Sequence, residues 1–143
     1  EARARTWESI TTRADAWVAE QVTGLAEEVH KLVNSLAAGN RWMAAVQRSL
    51  LALRMAPILA VQHGLLYETE NRLWDLIAER MGSEWRALQS AAFAENGEPL
   101  EESCTAALAL YAHTVAETRH LLTTEQKAVV AHACRLAGDQ SQH

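Results

Sequence analysis

The apolar positions Val18, Val22, Leu25, Val29, Leu32 and Leu36 advance along the chain by alternating fours and threes. That spacing lays one stripe along an amphipathic helix running from Thr12 to Ala38, and Gly39-Asn40 supplies its C-terminal stop. A short helix over Arg3–Ile10 is expected before it, with Thr11 or Thr12 as the N-cap of the long one. A second long helix is predicted from Arg41 to Gly64. It is apolar nearly all round, through Leu50, Leu51, Leu53, Met55, Ile58, Leu59 and Val61, as a central element would be, and Pro57 should kink it. Thr69 caps a helix over Glu70–Met81, Gly82 ends it, and Ser83 caps the next over Glu84–Phe93. After the loop Ala94–Glu98, Pro99 opens a helix to about Leu122, with Cys104, Leu108, Tyr111, Val115 and Leu122 on one face. Thr123 and Gln126 have capping-box spacing and open a last helix, which Gly138 should close before a polar tail, Asp139–His143. No segment alternates with period two. The fold expected is all-α: an up-and-down helical bundle of three to four long helices with short connecting ones.

Composition narrows the class. The chain has 143 residues, 49% of them hydrophobic and 22% charged, which suits a single helical domain over 1–143. A net charge of −5 argues against a nucleic-acid face and suits a cationic ligand. Charged or polar residues recur every few positions, so no bilayer span is expected. Two cysteines thirty positions apart form neither a disulfide framework nor a zinc pattern, and read as reduced thiols of a cytoplasmic protein. The chain opens on Glu1, not Met, and the expectation is the C-terminal half of a longer two-domain chain.

Candidate chemistry lies on a second stripe of the first long helix: Glu20, Gly24, Glu27, Lys31 and Asn34. Glu27 sits about 200° around the axis from Leu25 and Val29, facing away from the apolar seam. The ordinary reading is a solvated face with a Glu-to-Lys pair four residues apart. The functional reading is a general base with an ammonium beside it to hold an anionic group. His113, Glu117 and His120 share a face but lack matching ligands on a second helix, so no metal site is assigned. His63 reads first as a helix-end histidine, and Trp42, Trp74 and Trp85 as fillers of core gaps or of a domain interface. Gly82-Ser83 is not followed by an Asp-x-Asp pair, and the aspartates are Asp15, Asp75 and Asp139 alone. Nothing in the chain is therefore expected to hold the two magnesium ions of nucleotidyl transfer. Neither a phosphate-cradling Gly-rich loop nor a Ser/His/Asp or Cys/His arrangement is evident.

Three passages resemble the C-terminal helical, substrate-binding domain of kanamycin nucleotidyltransferase and related aminoglycoside nucleotidyltransferase-like proteins. They are Leu25-Ala26-Glu27-Glu28-Val29-His30-Lys31, Leu59-Ala60-Val61-Gln62-His63-Gly64-Leu65-Leu66-Tyr67 and Leu73-Trp74-Asp75-Leu76-Ile77. The resemblance covers about Trp17–Arg80. It places the family's catalytic base on Glu27 and its substrate-site lysine on Lys31, and matches His63 and Tyr67 to residues of the second long helix. The chain departs from the pattern at Pro57 and Gly64. What the resemblance implies is an antibiotic-resistance transferase whose helical part supplies the base and part of the site for a small cationic substrate. Magnesium and a nucleoside triphosphate would belong to an N-terminal nucleotidyltransferase domain, with no cofactor in this chain. The family's active site lies between two subunits, which would make the parent protein a homodimer. Glu20, with Glu68 and Glu70, is a candidate for holding ammonium groups, and Asn34 extends the same stripe. Nucleic-acid and membrane partners are not expected, and the chain alone should not catalyse. The rival reading is a non-catalytic helical interaction domain, such as the partner of a minimal nucleotidyltransferase in a toxin–antitoxin pair. The RNase form of that partner needs a His four to six residues after an Arg, and no arginine here has one.

Overall fold

The computed structural model describes the backbone of residues 2–66 and 69–141 and the side chains of 8–66 and 69–140. Among these residues the secondary structure is helical, without strands: α1 (Ala2–Gly24), α2 (Ala26–Ala37), α3 (Arg41–His63), α4 (Glu70–Met81), α5 (Ser83–Ala92), α6 (Leu100–Thr118) and α7 (Thr124–Ser141). A 3-10 turn, Arg119–Leu121, joins the last two. The all-α bundle is as expected. The stripe Val18, Val22, Leu25, Val29 and Leu32 is buried along α1 and α2, and it meets Leu51, Met55, Ile58 and Leu59 of α3 and Leu108, Leu110 and Tyr111 of α6. At Gly39-Asn40 the chain reverses with Gly39 in the left-handed region, φ 71°, so α2 and α3 pair antiparallel. Asn40 turns out to cap α3, its side chain accepting from the Met43 amide at 3.2 Å. Polar bonds link Arg41 with Glu101, Arg48 with Ser103 and Gln62 with the Glu117 carbonyl. The partner numbers rise together, so α6 runs alongside α3 in the same direction, and α4 and α5 carry the chain back between them.

Where local signals were strong, the elements sit as read. Thr69 accepts from the Arg72 amide at 3.2 Å, and Thr123 and Gln126 form both bonds of the capping box, at 3.0 and 3.2 Å. Other boundaries differ, and α6 ends at Thr118, short of Leu122, with Pro99 as its N-cap residue rather than in its first turn. Helix α1 passes through Thr11 and Thr12 without interruption and is broken at Leu25 instead. A threonine caps only where its own backbone leaves helical space, and neither Gly nor Pro stands there to force that. At the break, Gly24 weakens the helix and the Tyr111 hydroxyl, from α6, donates to the Val22 carbonyl at 2.9 Å. A side chain inserted at a helix carbonyl is a recognised cause of a bend. Burial pushes the Tyr111 phenol well above its ordinary pKa, so it remains a neutral donor. Gly82, with φ 98°, takes the cap position expected of Ser83, which becomes the first residue of α5. Gly138 does not close α7, which continues to Ser141. Helix α7 packs along α2 and α6, which offsets the cost of an interior glycine.

Candidate functional site

Glu20, Gly24, Glu27, Lys31 and Asn34 are all exposed, so the second stripe is an open face of α1 and α2. Glu27 lies in the first turn of α2 with its side chain 72% exposed, and the Lys31 Nζ stands 3.3 Å from its Oε1 and 3.5 Å from Glu28 Oε1. The Lys31 pKa is raised, first by its hydrogen bond to Glu27 and then by the charge of Glu28, so the ammonium is firmly protonated. This is a carboxylate open to an incoming group, with a cation one turn away.

His63 lies elsewhere. The Arg54–Gln21 bond sets the antiparallel register of α3 against α1. It places His63 some fifteen residues beyond the level of Glu27, about 20 Å along the bundle at 1.5 Å per residue. His63 is nearly covered, its Nε2 lies 3.8 Å from Glu117 Oε2, and neither that nitrogen nor Gln62 Oε1 has a hydrogen-bond partner among the described residues. Burial lowers the His63 pKa, Arg80 lowers it further and Glu117 opposes both. The unfolded chain therefore takes up this proton first as pH falls. The stability tied to neutral His63 is complete above the unfolded value of about 6.5 and is lost as pH falls toward the folded one. Between about pH 7.5 and 5.5, thermal unfolding of the wild type should move down more steeply than that of His63→Gln. Parallel pH profiles would remove His63 as the source.

Tyr67 and Glu68 lie outside the described residues. Glu70 is exposed at the start of α4. His113 and Glu117 turn to different neighbours, His113 to Glu84 of α5 at 3.5 Å and Glu117 to His63, while His120 is exposed in the 3-10 turn. Among the described residues no three His, Cys, Asp or Glu side chains converge as metal ligands. Trp85 is buried, Trp74 packs edge-on against Phe93 at 5.1 Å, and Trp42 stands 76% exposed. Cys104 and Cys134 are free thiols whose pKa values burial raises, that of Cys104 to about 11, which suppresses their nucleophilicity.

A cleft of about 440 Å³ opens at the other end of α2, where Ser35, Gly39, Arg41, Glu101, Glu102 and Gln140 contribute to its wall. Arg41 pairs with Glu101 at its mouth, and Glu101 is held below the usual carboxylate range by its own backbone amide and then by Arg41. None of the site residues named from sequence lines this cleft, and Glu27 is about 12 Å from Ser35 along the helix. Its wall comes from four helix ends and a turn separated by up to a hundred residues, and no sequence signal joins them. In comparisons with known proteins the chain matches no family model, no curated protein and no solved structure.

Proposed function

We propose that the chain is the substrate-binding helical part of an aminoglycoside nucleotidyltransferase-like enzyme, with Glu27 as general base. The observation that carries the reading is the Glu27–Lys31 pair, held 3.3 Å apart on an open helix face at the spacing of the resemblance. The substrate hydroxyl would attack the α-phosphorus of a nucleoside triphosphate, its proton passing to the Glu27 carboxylate as the bond to pyrophosphate breaks. Lys31 would neutralise charge gathering on the phosphate, and Glu20 and Asn34, one helix segment away on either side, would contact the cationic substrate. His63, nearly covered and about 20 Å along the bundle from Glu27, stands apart from that site. The magnesium–nucleotide is assigned to an N-terminal nucleotidyltransferase domain, because the aspartates here are scattered as Asp15, Asp75 and Asp139.

The test is a nucleotide-transfer assay over a panel of aminoglycosides, run with this chain alone and with the complete protein that contains it. Transfer by the complete protein and none by the chain is expected. Transfer by the chain alone, or by neither, would remove the reading. The apolar outer side of α3 favours a second reading, a helical interaction domain, for which an inert complete protein would be the expected result.

A further inference from the structure

Four helix ends surround the cleft beside Arg41, and their fields oppose one another. Helices α2 and α7 present their C-terminal ends to it, α3 and α6 their N-terminal ends. Its side chains therefore decide what it can hold. Leu36, Ala44 and Leu100 give it an apolar wall. At the mouth Arg41 is paired with Glu101, which leaves the Glu102 carboxylate without an ion-pair partner among the described residues. Ser35 is the sharper sign. A serine inside a helix can return its hydroxyl to the carbonyl four residues back, as Ser49 does to Ala45 at 2.9 Å. Ser35 is only 9% exposed and lines the cleft, yet its hydroxyl makes no hydrogen bond among the described residues. A polar group so deeply placed is ordinarily satisfied, here by whatever enters the cleft.

We propose that this cleft binds a small amphiphilic amine, its ammonium held by Glu102 and Ser35 and its apolar body lying against Leu36, Ala44 and Leu100. An ammonium carries donors and no acceptor. The free polar groups of the wall are the Glu102 carboxylate, the Ser35 hydroxyl and the Gln140 amide, and each offers an acceptor oxygen. An anion would meet the same carboxylate with the one guanidinium of the wall already taken. The volume of about 440 Å³ equals that of roughly fifteen waters in the liquid, at about 30 Å³ each, so a body of about ten non-hydrogen atoms fits. Such a volume lies in the ordinary range of small-molecule sites. A hydroxyl-covered polyamine of aminoglycoside type is larger and would leave the apolar wall unused. The site is therefore separate from the transfer reading, and Glu27 lies about 12 Å away along α2.

The test uses phenethylamine, with phenethyl alcohol as its neutral isostere and hydrocinnamate as its anionic counterpart, each titrated into the isotope-labelled chain and followed by amide NMR shifts. Phenethylamine should move the amides of Gly39, Ala44 and Thr105 with a Kd at or below about 1 mM. The alcohol should bind about 3–10-fold more weakly, since it lacks the charge that Glu102 holds. Glu102→Gln, on an exposed position, should bring the amine down to the affinity of the alcohol and leave the alcohol unchanged. Thr105→Phe, from a half-buried position on the wall, should block both while the helical circular-dichroism spectrum is kept. No shift at those amides, equal affinity for amine and alcohol, tighter binding of hydrocinnamate or of kanamycin, or amine binding indifferent to Glu102→Gln would each overturn the assignment. None of these readouts uses transfer activity, so failure of either proposal leaves the other standing.

Discussion

On the proposed reading, Glu27→Gln is expected to lower the turnover of nucleotide transfer by about 10²–10⁴-fold in the complete protein. The thermal midpoint should stay where it is. The substitution keeps the size and hydrogen-bonding shape of the side chain and removes only its capacity to take a proton. Glu27 is 72% exposed, and the change gives up only its solvent-screened pair with Lys31, so stability should barely change. The KM for the hydroxyl substrate should move far less than kcat, because the lost interaction belongs to the transition state. Lys31→Met should behave differently, raising the barrier through loss of phosphate neutralisation while Glu27 still accepts the proton. Turnover near the wild-type value in Glu27→Gln would return the residue to an ordinary solvated helix face and end its catalytic assignment.

Trp85→Ala should cost about 3–5 kcal/mol of stability, the largest effect expected from any single truncation here. Its indole is buried in α5, the helix that packs against α6, and its Nε1–H donates to Gln89 Oε1 at 3.2 Å. Truncation leaves a large void and an unpaired amide oxygen together. In a domain whose total stability is typically about 5–15 kcal/mol, that should lower the thermal midpoint by roughly 10 °C or more. Trp42→Ala should change stability by less than about 0.5 kcal/mol, since that ring touches mainly water. Thermal melts of the two variants side by side decide the matter. Equal losses would mean that α5 does not seat Trp85 in the core as described.

That contrast marks how far the chain could be read without its fold. Trp42 and Trp85 are the same residue type, each in the first turn of its helix, and local pattern gave both the same reading. What separates them is whether another helix arrives over them. The stripe Val18–Leu36 and the caps at Thr69 and Thr123 were legible because each depends on residues within one or two turns. The Glu27–Lys31 pair was legible for the same reason, as four residues make one helical turn. The separation of His63 from that pair was not legible. It depends on the antiparallel register of α3, which the Arg54–Gln21 contact sets across thirty-three positions.

By its own pattern, then, the chain determined that it is helical, where most helices start and stop, and which face of α1 and α2 stays wet. Those outcomes follow from backbone hydrogen bonds and apolar periodicity that act over a few residues. Tertiary structure decided the break at Leu25, where Tyr111 reaches Val22 from 89 positions away, and the cleft that four helix ends build around Arg41 and Glu101. It also decided which side of the largely apolar α3 is covered. The apolar residues of α3 are too many for their pattern to tell which its own chain will bury, and the packing of α1, α2, α4, α5 and α6 against it leaves Leu50, Leu53 and Trp42 facing outward.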